Sequence, residues 1–482
     1  MTARVAVVGG GLAGITAALG CADAGHRVTL FESRNRLGGL TYSFDRAGLA
    51  VDNGQHVFLR CCDRYRALLT RLGVAGEVNL QERLDIPVRG PRLVSAGRPA
   101  TRQHTTLGTA AGQYADGAEP AVIGGRLRRL PVPAPLHLSW ALLRYPWIST
   151  AARARFVRAA LALRAVDADD PRNDAESFGD WLRAHGQDRA AIESLWELVG
   201  IATLNARADD VSLALAATVF QIGLLTRSDA ADIGWSRIPL GRLHGDAAQR
   251  ALAAAGVTVV TRAKAAGIQR NGSGWSVSVD GDCAAADAIV LAAPPDAAAT
   301  LLPPESVRLP SNWSVALDNS PIINVHVVYD RQVMAEPFLA GLGTDAQWVF
   351  DRTDASGLGD TAAGGQYLAV SVSAADDLVD LPTAELRRRF LPQLHRLLPA
   401  TRTAGVRDFF VTRERHATFR PSPGSARLRP AARTALPGLY LAGAWTATGW
   451  PATMEGAVRS GESAVAELVS DYARTPAEEA VR

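Results

Sequence analysis

The 482-residue sequence contains one lysine, Lys264, among its 51 basic residues, so the other 50 are arginines. Arginine holds its proton under all ordinary conditions, which leaves lysine chemistry a single candidate. Cysteine is nearly as scarce. Cys21, Cys61, Cys62 and Cys283 show neither metal-ligand spacing nor the density of a disulfide-stapled scaffold, which fits a reducing cytoplasm. The adjacent Cys61 and Cys62 read as buried small residues at a helix start rather than as a redox dithiol. A net charge of +3 without any block of like charge argues against a nucleic-acid partner. Long apolar runs are absent too. Ser212–Thr226 is shorter than the roughly 20 residues of a membrane span, and Thr434–Met454 is interrupted by Pro437, Gly438, Gly443, Gly449 and Pro451. Arg4 followed by the uncharged run Val5–Ala22 mimics a secretory signal, yet three glycines break it and no small-residue cleavage site follows. No internal repeat, metal cluster or nucleophile–histidine–acid triad emerges.

What the chain does have is a strand, a glycine turn and a helix at its N-terminus. Val5–Val8 suits a buried strand, Gly9-Gly10-Gly11-Leu12-Ala13-Gly14 follows, and Ile15–Ala24 reads as a helix. In a dinucleotide fold Gly9 permits the tight turn, Gly11 lets the backbone approach a pyrophosphate, and Gly14 allows close helix–strand packing. The free N–H groups of the helix start then face phosphate. A second strand, Arg27–Phe31, ends at Glu32, 21 residues after Gly11, where a carboxylate accepts hydrogen bonds from a ribose. With 48% hydrophobic and 21% charged residues, the chain can bury a large core shared between two or three domains.

Ser33-Arg34-Asn35-Arg36-Leu37-Gly38-Gly39-Leu40 comes next. The first loop, Glu32, Arg36 and Gly38-Gly39 together resemble the FAD-dependent amine oxidase and phytoene desaturase superfamily, and the resemblance implies FAD rather than NAD. It also implies an α/β fold, an FAD-binding Rossmann-type domain of the glutathione-reductase or amine-oxidase kind with an interleaved α+β substrate domain. A hairpin of Thr41–Phe44 and Leu49–Val51 leads into Asp52-Asn53-Gly54-Gln55-His56. That stretch, with Cys61-Cys62 and Tyr65, is similar to the hydroxysqualene dehydroxylases, the squalene-associated branch of the superfamily. The closing segment Leu439–Gly461 is similar to the same branch. In such proteins its strand ends beside the ribityl chain, and the new helix turns its positive end to the flavin ring, favouring reduced, anionic flavin. One position departs from the pattern. Ala444 stands where an acidic residue is usual, which implies weaker FAD binding or binding through water and backbone.

By this resemblance the cofactor contacts are Gly9, Gly11, Leu12, Ala13, Gly14, Glu32, Ser33, Arg36, Gly38, Gly39, Leu40, Gly54, Gln55, His56, Ala265, Gly443, Ala444, Trp445, Pro451, Ala452, Thr453 and Met454. His56 is the candidate proton donor, with Asp52 orienting it; the alternative is a histidine that only hydrogen-bonds the flavin or a backbone carbonyl. Trp445 and Trp450 either face a cation or ring, or simply pack. The strand near Val259 and the bend near Ala265 fall on the adenine side, so Lys264 does not match the flavin-facing lysine of amine oxidases. That counts against amine oxidation.

Between these blocks lie two excursions. Arg64–Leu72 is an expected helix, and Arg89–Gly117 a strand-and-loop stretch without firm periodicity. Trp140, Leu143 and Trp147 have the spacing of one helix face, yet Pro146 divides Leu136–Val166 into two segments. Arg153, Arg155, Arg158 and Arg164 alternate with Phe156, Val157, Leu161 and Leu163, the pattern of a helix resting on lipid or packed over a cavity with its arginines solvated. After a turn-rich break at Asp170–Asp174, helices are expected at Ser177–His185, Arg189–Val199 and Val211–Leu225, with Trp196–Asn205 lining a tunnel or packing as core. Strands are expected at Val257–Thr261, Trp275–Val279 and Ala288–Ala292 after helix Ala247–Ala254. In the second excursion strands are expected at Ile322–Tyr329, Gln347–Phe350, Tyr367–Ser373 and Val406–Thr412, with a helix at Leu386–Leu398; His416 reads as structural.

The expected division is an FAD-binding domain in three segments (1–80, 234–300 and 426–472), a largely helical lobe (81–233), a sheet-and-helix substrate domain (301–425) and a flexible tail (473–482). The function implied is reductive dehydroxylation of hydroxysqualene, a C30 isoprenoid, to squalene, with an unspecified electron donor and a cytoplasmic site that includes peripheral contact with the inner face of the membrane. Two alternatives stay open: a carotenoid-type desaturase or isomerase, and a non-redox isoprenoid carrier like the prenyl-protein escort proteins, which share the fold.

Overall fold

The computed structural model describes residues 2–91, 121–272, 274–361 and 364–479. Its organising element is a five-stranded parallel sheet. β1 (Arg4–Val8) is central, flanked by β2 (Arg27–Glu32) and then Thr258–Thr261 on one side, and by Ala288–Leu291 and then Leu439–Leu441 on the other. Val5, Val7, Leu30, Ile289, Val290 and Leu441 are all nearly or fully buried, as expected of a parallel sheet covered on both faces. One layer is helical: α1 (Leu12–Asp23), the helix Ala247–Ala254 and the C-terminal helix Met454–Glu479. The expected α/β nucleotide fold is therefore present, assembled from three separate stretches of chain.

α1 and the C-terminal helix touch at small residues. A Cβ on Gly461 would strike the Ala13 carbonyl, and one on Gly20 would approach Val465 at 2.9 Å. The C-terminal helix continues past Ala473 to Glu479, where the sequence suggested a flexible tail.

The second half of the molecule is built on a seven-stranded mixed sheet. Its order runs Val406–Phe419, Asn319–Tyr329, Gln366–Val372, Trp348–Asp351, Phe338–Gly341, Asp85–Pro91 and Val122–Arg128. The strand Val406–Phe419 is longer than expected, because it pairs with Asn319–Tyr329 along almost its whole length with two irregularities in register. Of the expected stretch Arg89–Gly117, residues beyond 91 lie outside the described residues; Asp85–Pro91 is a strand.

The helical lobe follows. Leu136–Leu138 and Ser139–Leu143 form one short segment and Thr150–Leu163 a second, divided at Pro146 as the sequence suggests. Trp147 does not share a face with its predicted companions. It is buried and donates from its indole N–H to Pro91 O at 2.8 Å, whereas Leu136, Trp140, Leu143, Val157 and Leu161 are all exposed, between 46% and 64%. Asp170–Asp174 is not an open break: Pro171–Ala175 is a short helix capped by the Asp170 side chain on Arg172 N–H. Among the described residues no helix is long and apolar enough to cross a membrane.

Asp232 ties the halves together. Fully buried, its carboxylate accepts from Arg60 Nε at 2.9 Å, Arg129 Nε at 2.7 Å and Leu84 N–H at 2.7 Å.

Because the α1 seam leaves no space for a side chain at 461, Gly461→Ala is expected to destabilise the protein by about 1–3 kcal/mol, measured by denaturant unfolding and by the thermal unfolding midpoint. Unchanged values for both would show that the seam tolerates a methyl group.

Candidate active site

The N-terminal loop is preorganised by backbone bonds. Gly9 has a φ of +112°, open to glycine at little cost, and Gly9 N–H donates to Phe31 O at 2.8 Å. Glu32, 7% exposed, accepts from Gly10 N–H and Arg34 N–H, each at 2.7 Å, and from the Ser33 hydroxyl. Gly38 N–H donates to Gly10 O at 2.9 Å, and a Cβ on Gly39 would lie 2.9 Å from Gly11 Cα. Arg36 donates to Gly39 O at 3.0 Å and stacks on Tyr42. Across the groove, Ala263 N–H and Arg262 N–H donate to Glu32 O and Arg34 O, which brings the bend at Ala265 beside the ribose-type carboxylate. Lys264 is exposed on that bend.

The Asp52–His56 stretch is fixed from behind by residues far away in sequence. Asp52 accepts from Ser43 Oγ at 2.6 Å, Leu240 N–H at 2.9 Å and Arg352 Nη2 at 2.8 Å, and the Asp52–Arg352 pair is buried. Its hydrogen bonds are thus spent elsewhere, and the expected orienting bond to His56 is replaced by another: His56 Nδ1 lies 3.1 Å from Gly54 O. A carbonyl can only accept, so Nδ1 carries the proton and Nε2 holds the lone pair in the neutral ring. Burial lowers the His56 pKa, opposed by the Gly54 bond and by the charge of Asp52. Asn53 donates to Glu414 and to Leu40 O. Asn324 spans Asn53 O and Gln55 N–H. Thr412 links Asn53 O to the buried His326, whose other nitrogen meets the Tyr367 hydroxyl at 2.7 Å.

The closing strand Leu439–Leu441 delivers the loop from Gly443 to Thr453. Trp445 does not face open space: it is 5% exposed, stacks on Trp313 at 5.2 Å and donates to Ala293 O at 3.0 Å. One face of Trp450 is covered by Arg459. Thr453 caps the C-terminal helix through Gly456 N–H, and Glu455, fully buried, caps α2 (Asp63–Arg71) by accepting from Tyr65 N–H at 2.7 Å and Arg64 N–H at 3.3 Å. Sequence reasoning passed over Arg352, Glu455, His244 and Arg429. Glu455 alone carried a signal, a single acid in the first turn of an otherwise uncharged helix start.

Two recesses lie nearby. A cleft of about 610 Å³ is lined by Arg36, Ser43, Asp45, Arg242, Gln249 and Thr261 among others, and of the expected cofactor residues it includes only Arg36. Trp196, Gly200, Ile201 and Leu204 pack against Phe178 and Val211 without room for a water molecule, so this part of Trp196–Asn205 is core rather than open tunnel.

The family described as flavin containing amine oxidoreductase matches residues 12–469. The chain belongs to that family. It is 28% identical to a hydroxysqualene dehydroxylase of Sinorhizobium fredii, over 98% of this chain and 99% of the relative. It is 26% identical to the zeta-carotene desaturase of Capsicum annuum, over 96% and 80%. Among solved structures, cyclohexylamine oxidase from Brevibacterium oxydans shares the fold with a TM-score of 0.68 at 18% identity, covering 98% of this chain and 100% of that one. This family member is an FAD-dependent oxidoreductase.

The residues present fit FAD. A Cβ on Gly11 would meet nothing nearer than Gly39 Cα at 3.8 Å, Glu32 closes the second strand of the parallel sheet beside the glycine loop, and Gln55 Nε2 and His244 Nδ1 are among the buried polar atoms without a partner among the described residues. His244 also contacts the Tyr65 hydroxyl at 2.8 Å through Nε2.

Burial holds both His244 and His326 at a pKa of about 3, against an ordinary value of 6.5. Both are therefore neutral in the fold and regain the ordinary value on unfolding. Below pH 6.5 the unfolded chain binds protons that the folded chain refuses, so stability falls as pH drops from 6.5 towards 3, by about 1.4 kcal/mol per pH unit for each histidine. His326→Gln keeps a donor and an acceptor for Tyr367 and Thr412 and is expected to remove one such contribution from the pH dependence of unfolding. An unaltered dependence would mean that His326 takes up its proton within the fold.

Proposed function

We propose that the chain converts hydroxysqualene to squalene by reductive dehydroxylation. FAD, when bound and reduced, supplies the hydride for the allylic carbon, and the hydroxyl leaves as water. The observation that carries this reading is the Asp52–His56 motif itself, backed by a dedicated polar network, in a chain that aligns from end to end with a dehydroxylase and has no lysine beside that motif. Oxidation of an amine does not call for a proton at a leaving hydroxyl; dehydroxylation does.

His56 supplies that proton in this proposal. Its neutral form offers only a lone pair at Nε2, so delivery requires the protonated ring, which the nearby Asp52 charge favours and burial opposes. Single-turnover dehydroxylation is accordingly expected to quicken as pH falls below 6.5, and His56→Ala to abolish that rise with FAD still bound. The decisive experiment mixes photoreduced protein with hydroxysqualene under anaerobic conditions while following flavin absorbance and extracted products. Reoxidation with stoichiometric squalene is expected. Flavin that stays reduced, with product formed only from polyenes under oxidising conditions, would favour the desaturase named among the relatives.

We further place the enzyme at the inner face of a membrane. Exposed Leu136, Trp140, Leu143, Val157 and Leu161, flanked by arginines and with Arg144 stacked on Trp140, form the apolar and cationic surface that an anionic bilayer binds. Trp140→Glu with Leu143→Glu is expected to cut co-sedimentation with phosphatidylglycerol vesicles at least fivefold while leaving thermal stability unchanged. Equal sedimentation would dismiss this surface.

A further inference from the structure

The loop that follows the closing strand has no charged residue from Gly443 to Met454, and its shape is set from outside by one cation. Arg429 is 6% exposed. Its guanidinium donates to Trp450 O at 2.7 Å and Thr446 O at 2.6 Å, and at 3.3 Å to Ala444 O, Trp445 O and the Thr448 hydroxyl. One face rests on Phe419 at 4.6 Å. The next residue continues the clamp, with Ala447 N–H donating to Pro430 O at 2.9 Å.

Among these partners there is no carboxylate. A buried guanidinium ordinarily has one, because carbonyl dipoles stabilise the charge without cancelling it. Asp174 is the acid that acts on Arg429 through space, and its own carboxylate is held by Ser212 and Ala426 N–H. Glu455, the next acid along the chain, is held by Arg459 and by the start of α2. Burial draws the Arg429 pKa down only to about 10, so the group is charged at neutral pH.

The clamp has a geometric consequence. A trans peptide sets its C=O and N–H on opposite sides. With Ala444 O turned to Arg429, the N–H of Trp445 faces the other way, and it has no acceptor among the described residues. The loop therefore holds the Trp445 amide without a protein acceptor among the described residues, on the side turned away from Arg429 and backed by its net positive charge.

We propose that Arg429 is the positioning residue of the cofactor loop: it orients the Ala444–Trp445 peptide toward an anionic part of FAD and makes the site favour the reduced, anionic flavin. This rests on FAD binding and not on the identity of the substrate. Reduction places two electrons and one proton on the flavin, leaving the ring one unit more negative, so a fixed cation nearby raises the midpoint potential.

The test uses holoenzyme and no substrate. FAD affinity is measured by flavin fluorescence, and midpoint potential by slow reduction with dithionite against a reference dye. Arg429→Met is expected to weaken FAD binding at least tenfold and to lower the preference for reduced over oxidised flavin at least tenfold, a shift of about 30 mV for a two-electron couple. Arg429→Lys, which keeps the charge but not the fork, is expected to lose affinity while keeping most of the potential. Ala444→Asp leaves the clamp in place and is expected to lower the potential by adding an anion beside the loop. A merely structural arginine would move affinity and leave the potential alone in all three variants, which would overturn the proposal. If Arg429→Met does not fold, an unchanged potential in Ala444→Asp overturns it equally.

Discussion

A parallel sheet cannot be closed by hairpins; every strand must be reached by a crossover from the far end of its neighbour. In this chain that constraint shapes the whole molecule. β2 ends at Glu32 and its outer neighbour begins only at Thr258, while Leu291 and Leu439 bracket the second long detour. Both detours leave from the carboxyl ends of their strands, the edge at which nucleotides bind in folds of this kind. The helical lobe and the seven-stranded sheet are thus the crossovers themselves, enlarged into a second half of the molecule.

Such an arrangement lets the Asp52–His56 stretch be held from a distance. Beside its bonds to the neighbouring hairpin, it is fixed by Arg352, Asn324, Thr412 and Glu414, all delivered by the second detour. Polar groups buried in this way stabilise only when every member is satisfied. Gln55 Nε2, at the end of that network, is one of the buried polar atoms left without a partner among the described residues.

How much of this was legible depended on distance along the chain. The strand, glycine turn, helix and Glu32 were readable because their physics is local: backbone conformation, helix start and burial are all written within about thirty residues. The bend that carries Lys264 was readable for the same reason, since it lies between two short strands. Trp147 was misread because helical spacing says nothing about a carbonyl at Pro91 that claims its indole. The orienting role expected of Asp52 failed in the same manner, its partner Arg352 lying three hundred residues on. Arg429 gave no signal whatever, because carbonyl oxygens have no sequence signature.

The place of Leu439–Leu441 at the outer edge of the parallel sheet has a further consequence. That strand and the helix carrying Gly461 lie beyond the second detour from the strand and helix they cover. Without them Ala288–Leu291 would present an unpaired margin and α1 a bare strip. The parallel sheet therefore cannot close on its earlier segments alone: its edge and its helical layer are finished only by chain that has first passed through the second detour, which ties the folding of the nucleotide domain to the folding of that detour.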